Sequence, residues 1–315
     1  MSHDVACVGL TILDVLGRPV ERIPDGGNVA FIDEIRLTVA GTAAGTAIDC
    51  AKLGLETLAV GAVGQDEKGD FVLDTYRRFG VQTEAMQRTD AAPTSATILN
   101  VRPNGDRPAL HVRGASDHLA VPSSDYERIC DGPYLHMGGT GLLAAMDGPP
   151  TADLLAAAKA RGVTTTFDLI APGDDTMRIV APCLPHIDYF MPSMEEAEIL
   201  SGRREPADIA AFFHDWGAGT CIFKWGPNGS YISGPHGAFR VPAFRVAVSD
   251  TTGCGDAYCA GFIAGLKQGF DLEQACRLAT AASGLVATGL GSDAGIVDLE
   301  STLAWMETAE ILETG

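Results

Sequence analysis

The sequence predicts an α/β protein with a mostly parallel sheet covered by helices on both faces, and three observations predict it. From about residue 130 onward, short apolar runs alternate regularly with helical stretches. The first run, Val5–Gly9, is apolar without a break and ends in glycine, as a strand buried on both faces does. Two excursions, residues 15–39 and 95–114, interrupt the alternation with hairpin-like patterns and predict a separate small sheet.

Taken in order, Val5–Gly9 is the first strand. Val15–Ile23 and Val29–Val39 read as strands flanking the turn residues Pro24, Asp25, Gly26, Gly27 and Asn28. Ala43–Leu53 reads as a small-residue helix closed by Gly54, and Thr57–Val63 as a buried strand. Gly69–Phe79 is amphipathic, with Phe71, Val72, Tyr76 and Phe79 near one face and Gly80 as its stop. Ser95–Val101 and Pro108–Arg113 flank Asn104-Gly105, a two-residue hairpin signal. Tyr134–Met137, Thr164–Asp168, Tyr189–Met191 and Cys221–Lys224 read as strands, with helices at Thr151–Ala160, Met194–Leu200 and Ile209–Trp216 between them. Short strands near Tyr231–Ile232 and at Val241–Val248 precede two helices, about Gly255–Gln268 and Leu272–Thr288. No internal repeat and no low-complexity linker appears.

Bulk properties narrow the function. With 46% hydrophobic residues over 315 positions, the chain can bury a large core. A formal net charge of −19 argues against nucleic acid and anionic membrane surfaces as partners. The eight cysteines are scattered, with no C-x-x-C pair and no zinc spacing, which fits a reducing, cytoplasmic setting. No apolar run reaches transmembrane length, and the N-terminus lacks the pattern of a signal peptide.

The most informative stretch is Asp250-Thr251-Thr252-Gly253-Cys254-Gly255-Asp256-Ala257-Tyr258, placed between an expected strand and an expected helix. Gly253 and Gly255 let the chain turn sharply and let an anion approach the backbone. The free amides of residues 253–256 then converge at a helix N-terminus, an anion hole needing no charged side chain. Asp256 sits beside it in the first turn. A carboxylate next to an anion hole suits phosphoryl transfer, which needs a base for an acceptor hydroxyl and donors for the transferring group.

The string Asp-Thr-Thr-Gly-Cys-Gly-Asp-Ala-Tyr-x-Ala-Gly-Phe closely resembles the C-terminal signature of the ribokinase-like (PfkB) carbohydrate kinases, and the resemblance extends over residues 4–297. It implies a doubly wound domain (residues 1–14, 40–94 and 115–315) with a β-sheet lid (15–39 and 95–114). It implies Asp256 as general base, with Gly253, Cys254 and Gly255 as the anion hole. The acceptor would be a sugar or sugar-derived small molecule, the donor ATP with Mg²⁺, and the assembly a homodimer through the lid.

Further matches follow along the chain. Ala40-Gly41-Thr42…Gly45 resembles the family's glycine motif at the sugar pocket, with Ala40 and Gly45 where glycine and asparagine are usual. The loss of that asparagine predicts extra room in the pocket. Asp14 falls where the family holds sugar hydroxyls, and Ile12 replaces a polar residue there. Ser193 and Glu196 resemble the Asn-x-x-Glu motif, Glu196 acting on Mg²⁺ through water; a plain helix cap is the structural reading of the same residues. Lys224, Gly226, Asn228 and Gly229 lie where the family places its nucleotide loop, and Thr280 where it lines the adenine pocket. Arg113 closes the second lid excursion and is expected near the substrate, the alternative being a surface arginine. Asp250 resembles a monovalent-cation (K⁺) ligand. Cys254, at a helix N-terminus, is expected to carry a lowered pKa unless it is only a packing residue. A nucleoside kinase and a non-catalytic ligand-binding member are the competing readings.

Overall fold

Alternate residues of the first strand go to opposite sides of the protein. Ala6 and Val8 pack into one core, and Val5 and Cys7 into a second. A strand read in this way is covered by helices on both faces, which explains its unbroken apolar character. The computed structural model describes residues 2–313, so the outermost ends of the expected domain boundaries lie outside the described residues.

In chain order the strands are β1 Val5–Gly9, β2 Ile12–Arg18, β3 Glu34–Ala40, β4 Thr57–Val60, β5 Ala62–Gly64, β6 Gln87–Thr89, β7 Ala96–Asn100, β8 Ala109–Val112, β9 Tyr134–Thr140, β10 Thr164–Leu169, β11 Tyr189–Phe190, β12 Thr220–Lys224, β13 Ser230–Gly234 and β14 Gly237–Val241. The helices are α1 Thr42–Lys52, α2 Glu67–Arg78, α3 Tyr126–Ile129, α4 Pro149–Ala160, α5 Thr176–Val180, α6 Met194–Ser201, α7 Pro206–Asp215, α8 Cys254–Lys267, α9 Leu272–Val286 and α10 Leu299–Thr308.

The main sheet has the order β4-β1-β9-β10-β11-β12-β13-β14. Its first six strands are parallel, and β13 and β14 add an antiparallel edge. The chain runs from β1 outward to β4 and later returns on the other side through β9. That reversal opens a crevice at the C-terminal ends of β1 and β9, the usual ligand position of an open α/β sheet. Glycines let the backbones close up there: a side chain at Gly9 would collide with the Gly138 carbonyl. Helix α8 lies directly against α9, because Gly261 and Gly265 leave room for Ala279 and Ala275. These glycines serve a close helix–helix contact.

The second sheet, β3-β2-β7-β8, is the lid. Register places Thr38, Asp14, Thr97 and His111 in one row across it. Thr38, Asp14 and Thr97 are buried, so this row faces the α/β domain. The next row, Leu37, Val15, Ile98 and Leu110, points the other way, and Leu37, Ile98 and Leu110 are exposed.

Three expectations change. The lid begins at Ile12, so Asp14 is carried by a lid strand rather than by the larger domain. The apolar run 57–63 divides at Gly61: β4 stays in the main sheet while β5 pairs with β6. The expected strand at 241–248 does not form. β14 ends at Val241 because Pro242 has no amide for the ladder, and the chain beyond makes only an isolated bridge from Phe244 to Ile311.

Candidate active site

Gly253 starts α8 in the left-handed region, φ 79°, and its missing Cβ leaves space for the Ser292 backbone. This turn aims the first amides of α8 out of the helix. Ala257 N donates to Gly253 O at 2.9 Å, the first regular bond. The amides of Gly253, Gly255 and Asp256 have no hydrogen-bond partner among the described residues. Three unpaired donors at a positive helix end form a cradle for an anion.

Asp256 lies beside that cradle and is buried. α1 packs against it through Gly45, where a Cβ would fall inside contact distance of Asp256 Oδ2. Gly45 therefore creates no spare room, contrary to the expectation; the Asp256 carboxylate itself fills the space. Thr46 Oγ1 donates to Asp256 O at 3.2 Å, tying the same two helices. An expected result follows: Gly45→Ala displaces the carboxylate and lowers kcat by about 10²-fold, the order expected for roughly 1 Å of misplacement. Steady-state kinetics with circular dichroism as a folding control check this, since alanine otherwise favours the helix.

Lys224 ends β12 and reaches under the cradle, its Nζ 3.1 Å from the position of a Cβ on Gly255. It forms a buried ion pair with Asp168, at the end of β10. Burial opposes the lysine charge, but Asp168, assisted by Cys259 and Glu196, holds its pKa above the ordinary value. Burial pushes the Asp256 carboxyl up to about 7, and Asp168 adds to the rise against the pull of Lys224 and Arg107. Asp14 is likewise raised to about 7 by burial, opposed by Thr97 and Arg107. The crevice thus holds two carboxyls that change charge near neutral pH.

The base of the crevice is made by the ends of β1 and β9 and the start of α1. Gly41, at φ 102°, caps α1 where any Cβ would lie 2.5 Å from Leu10 O. The buried hydroxyls of Thr42 and Thr140 and the His136 Nε2 have no partner among the described residues. His136 Nδ1 is joined to Thr166 Oγ1 at 2.9 Å, and burial lowers its pKa to about 3, leaving the ring neutral.

The other expected residues are placed as follows. Ser193 and Glu196 form a reciprocal cap on α6: Ser193 N donates to Glu196 Oε2 at 2.8 Å and Glu196 N to Ser193 Oγ at 3.2 Å. Burial and the nearby Asp168 raise the Glu196 pKa. Gly226, Asn228 and Gly229 form the tight turn after β12. Arg240 stacks over the Trp225 ring at 4.8 Å beside this turn. Thr280, on α9, donates to Cys276 O at 2.9 Å. Asp250 accepts from Thr252 N at 3.0 Å, Thr252 Oγ1 at 2.8 Å and Gly291 N at 2.9 Å, which fixes the entrance to the cradle.

Two expectations are corrected. Arg113 makes a two-pronged ion pair with Asp117, both contacts 2.7 Å, and its side chain is half exposed. The arginine that reaches the cradle is Arg107, on the turn joining β7 to β8; its Nη1 donates to Thr252 Oγ1 at 3.0 Å. The Cys254 thiol is pushed up to about 12 by burial, with Asp250, Asp256 and Asp49 adding to the rise. The helix end does not make it a thiolate. Asp168 is a site residue that the sequence motifs do not single out; an acid ending a parallel strand is the signal that could have found it.

A buried carboxyl beside an amide cradle, with a lysine beneath and a lid above, suits a phosphotransferase that acts on a hydroxyl. The chain matches the description "pfkB family carbohydrate kinase" over residues 2–298 and belongs to that family. It is an ATP-dependent kinase of a sugar or sugar-derived hydroxyl. The ribokinase of Staphylococcus aureus (strain COL) is 27% identical over 314 residues, covering 95% of this chain and 98% of that protein. An ATP-dependent ribose-1-phosphate kinase of Halopiger xanaduensis is 29% identical over 271 residues, covering 85% and 86%. The fold matches a putative ribokinase II from E. coli solved with ATP and Mg²⁺, with TM-score 0.83 at 21% identity over 98% of this chain and 99% of that one. No helix among the described residues is long and apolar enough to cross a membrane.

Proposed function

We propose that Asp256 is the general base and that the amides of Gly253, Gly255 and Asp256 receive the transferring phosphoryl group. The observation carrying this reading is the trio of unpaired amides beside a buried carboxyl whose pKa lies about 7. At that pKa the carboxylate is a competent proton acceptor near neutral pH. The acceptor sits between Asp14 and Asp256 on the floor made by Gly41, Thr42 and Gly45. Asp14 accepts hydrogen bonds from its hydroxyls, and Asp256 takes the proton of the attacking one. Lys224 offsets charge on the phosphates from below. The nucleotide lies along the turn Gly226–Gly229 towards Thr280. Closure of the lid excludes water, the competing acceptor.

Glu196 retains an oxygen, Oε1, free of protein bonds among the described residues, so this side chain fits an outer-sphere role toward Mg²⁺. The ion supplies neutralising charge on the phosphates. Asp250 accepts three protein hydrogen bonds, two on Oδ1 and one on Oδ2, which leaves a lone pair on Oδ2 that could face K⁺. The test of the function is a screen of sugars, sugar acids, sugar phosphates and nucleosides with ATP and Mg²⁺, read as ADP release. Transfer to a sugar-type hydroxyl supports the reading, and nucleoside phosphorylation alone would replace it with the nucleoside-kinase alternative.

The lid's outer row of Leu37, Val15, Ile98 and Leu110, flanked by Ile35 and Val112, is an apolar face whose members are mostly exposed. Copies with a charge of −19 repel each other, so contact is favoured where charge is sparse. We take a second copy of the chain to cover this face, in a two-fold pair. Analytical ultracentrifugation should show a dimer, and Leu110→Glu should convert it to monomers. A monomeric parent protein would contradict the pairing.

A further inference from the structure

Near Asp256 the structure holds two cations with different circumstances. Lys224 is matched by Asp168. Arg107 is exposed and has no ion pair among the described residues, although the protein carries a large excess of acid. Its one protein hydrogen bond goes to a neutral hydroxyl, Thr252 Oγ1. That hydroxyl donates its own proton to Asp250 Oδ1 at 2.8 Å. Thr252 therefore holds one corner of the guanidinium and leaves most of its five N–H donors for something else.

The position of the guanidinium says what that something is. Its charge is felt by Asp14, on the lid, and by Asp256 and Cys254, on α8. It stands on the lid side of the cradle, whereas Lys224 approaches the cradle from the sheet. Besides Asp14 and the unpartnered hydroxyls of Thr42 and Thr140, the acceptor space is bordered by residues without polar side chains: Ile12 and Ala40 at the lid, Gly41 and Gly139 below. An arginine fork is shaped for two oxygens of a carboxylate or phosphate.

We propose that Arg107 is a specificity residue that binds an anionic group, carboxylate or phosphate, carried by the acceptor. The proposal rests on the phosphotransferase reading above. With the anion in place, Arg107 neutralises it between two carboxyls that would otherwise repel it. The lid is then drawn down by the substrate it selects.

Matched sets of acceptors test this: a neutral sugar, the corresponding sugar acid and the corresponding sugar phosphate, each assayed with the parent enzyme, Arg107→Gln and Arg107→Lys. The parent enzyme should prefer the acid or the phosphate over the neutral sugar by about 10²-fold in kcat/KM, and the preferred member tells which anion is read. In Arg107→Gln that preference should fall by about 10- to 100-fold through the acceptor KM, with Arg107→Lys recovering part of it. A preference for the neutral sugar, or a preference unchanged by Arg107→Gln, overturns the assignment while leaving the kinase reading intact. A loss confined to the ATP KM moves Arg107 to the nucleotide and also overturns it. Absence of transfer to every member of every set removes the kinase reading itself, and this assignment with it.

Discussion

Asp256→Asn should lower kcat by about 10²–10⁴-fold with little change in ATP affinity. Asparagine keeps the size of the side chain and its fit against Gly45, so the cradle stays formed. What it loses is the capacity to accept a proton. The pH dependence separates this from a packing defect. Burial and Asp168 raise the Asp256 pKa to about 7, so the active, ionised form prevails above that pH. In the parent enzyme, kcat/KM should therefore fall about tenfold per unit as pH drops below about 7. Residual activity of the asparagine variant should lack that one-proton limb. Near-normal turnover, or a variant profile that keeps the limb, would take the role of base away from Asp256.

Lys224→Met should cost both stability and activity. Its removal leaves Asp168 buried without its cation, a loss of about 3–5 kcal/mol when one partner of a buried pair is taken away. The urea midpoint should shift accordingly. The same change removes a positive charge that holds the Asp256 pKa down, so any remaining activity should rise with pH over a higher range than in the parent enzyme. The double variant Lys224→Met, Asp168→Leu separates the two effects. It should regain much of the stability, since no unpaired charge remains, and none of the lost turnover. Recovery of turnover with stability would mean that Lys224 supports the fold only.

The parts of this site that are legible in the sequence are local ones. Gly253, Gly255 and Asp256 stand within four residues, and the backbone conformation they require is a property of that string. The turn residues Gly26-Gly27 and Asn104-Gly105 likewise mark the two lid excursions, because each needs only its immediate neighbours to act. What stays hidden depends on distant parts of the chain meeting. Arg107, on the lid, meets Thr252, ahead of α8, a contact that no spacing announces. Gly45 reads as lost substrate contact in one dimension, while in three it is the hollow into which Asp256 fits. The pairing of Arg113 with Asp117 is legible, because opposite charges four residues apart commonly meet. The Val241–Val248 run alternates like a strand, yet Pro242 denies it the ladder.

A crystal structure with a non-hydrolysable ATP analogue, Mg²⁺ and an acceptor would test the central claim most directly. The account predicts the terminal phosphate within hydrogen-bonding distance of the Gly253, Gly255 and Asp256 amides, and the acceptor hydroxyl against the Asp256 carboxylate. A terminal phosphate bound elsewhere, with those amides turned to solvent and Asp256 out of reach of any hydroxyl, would contradict it.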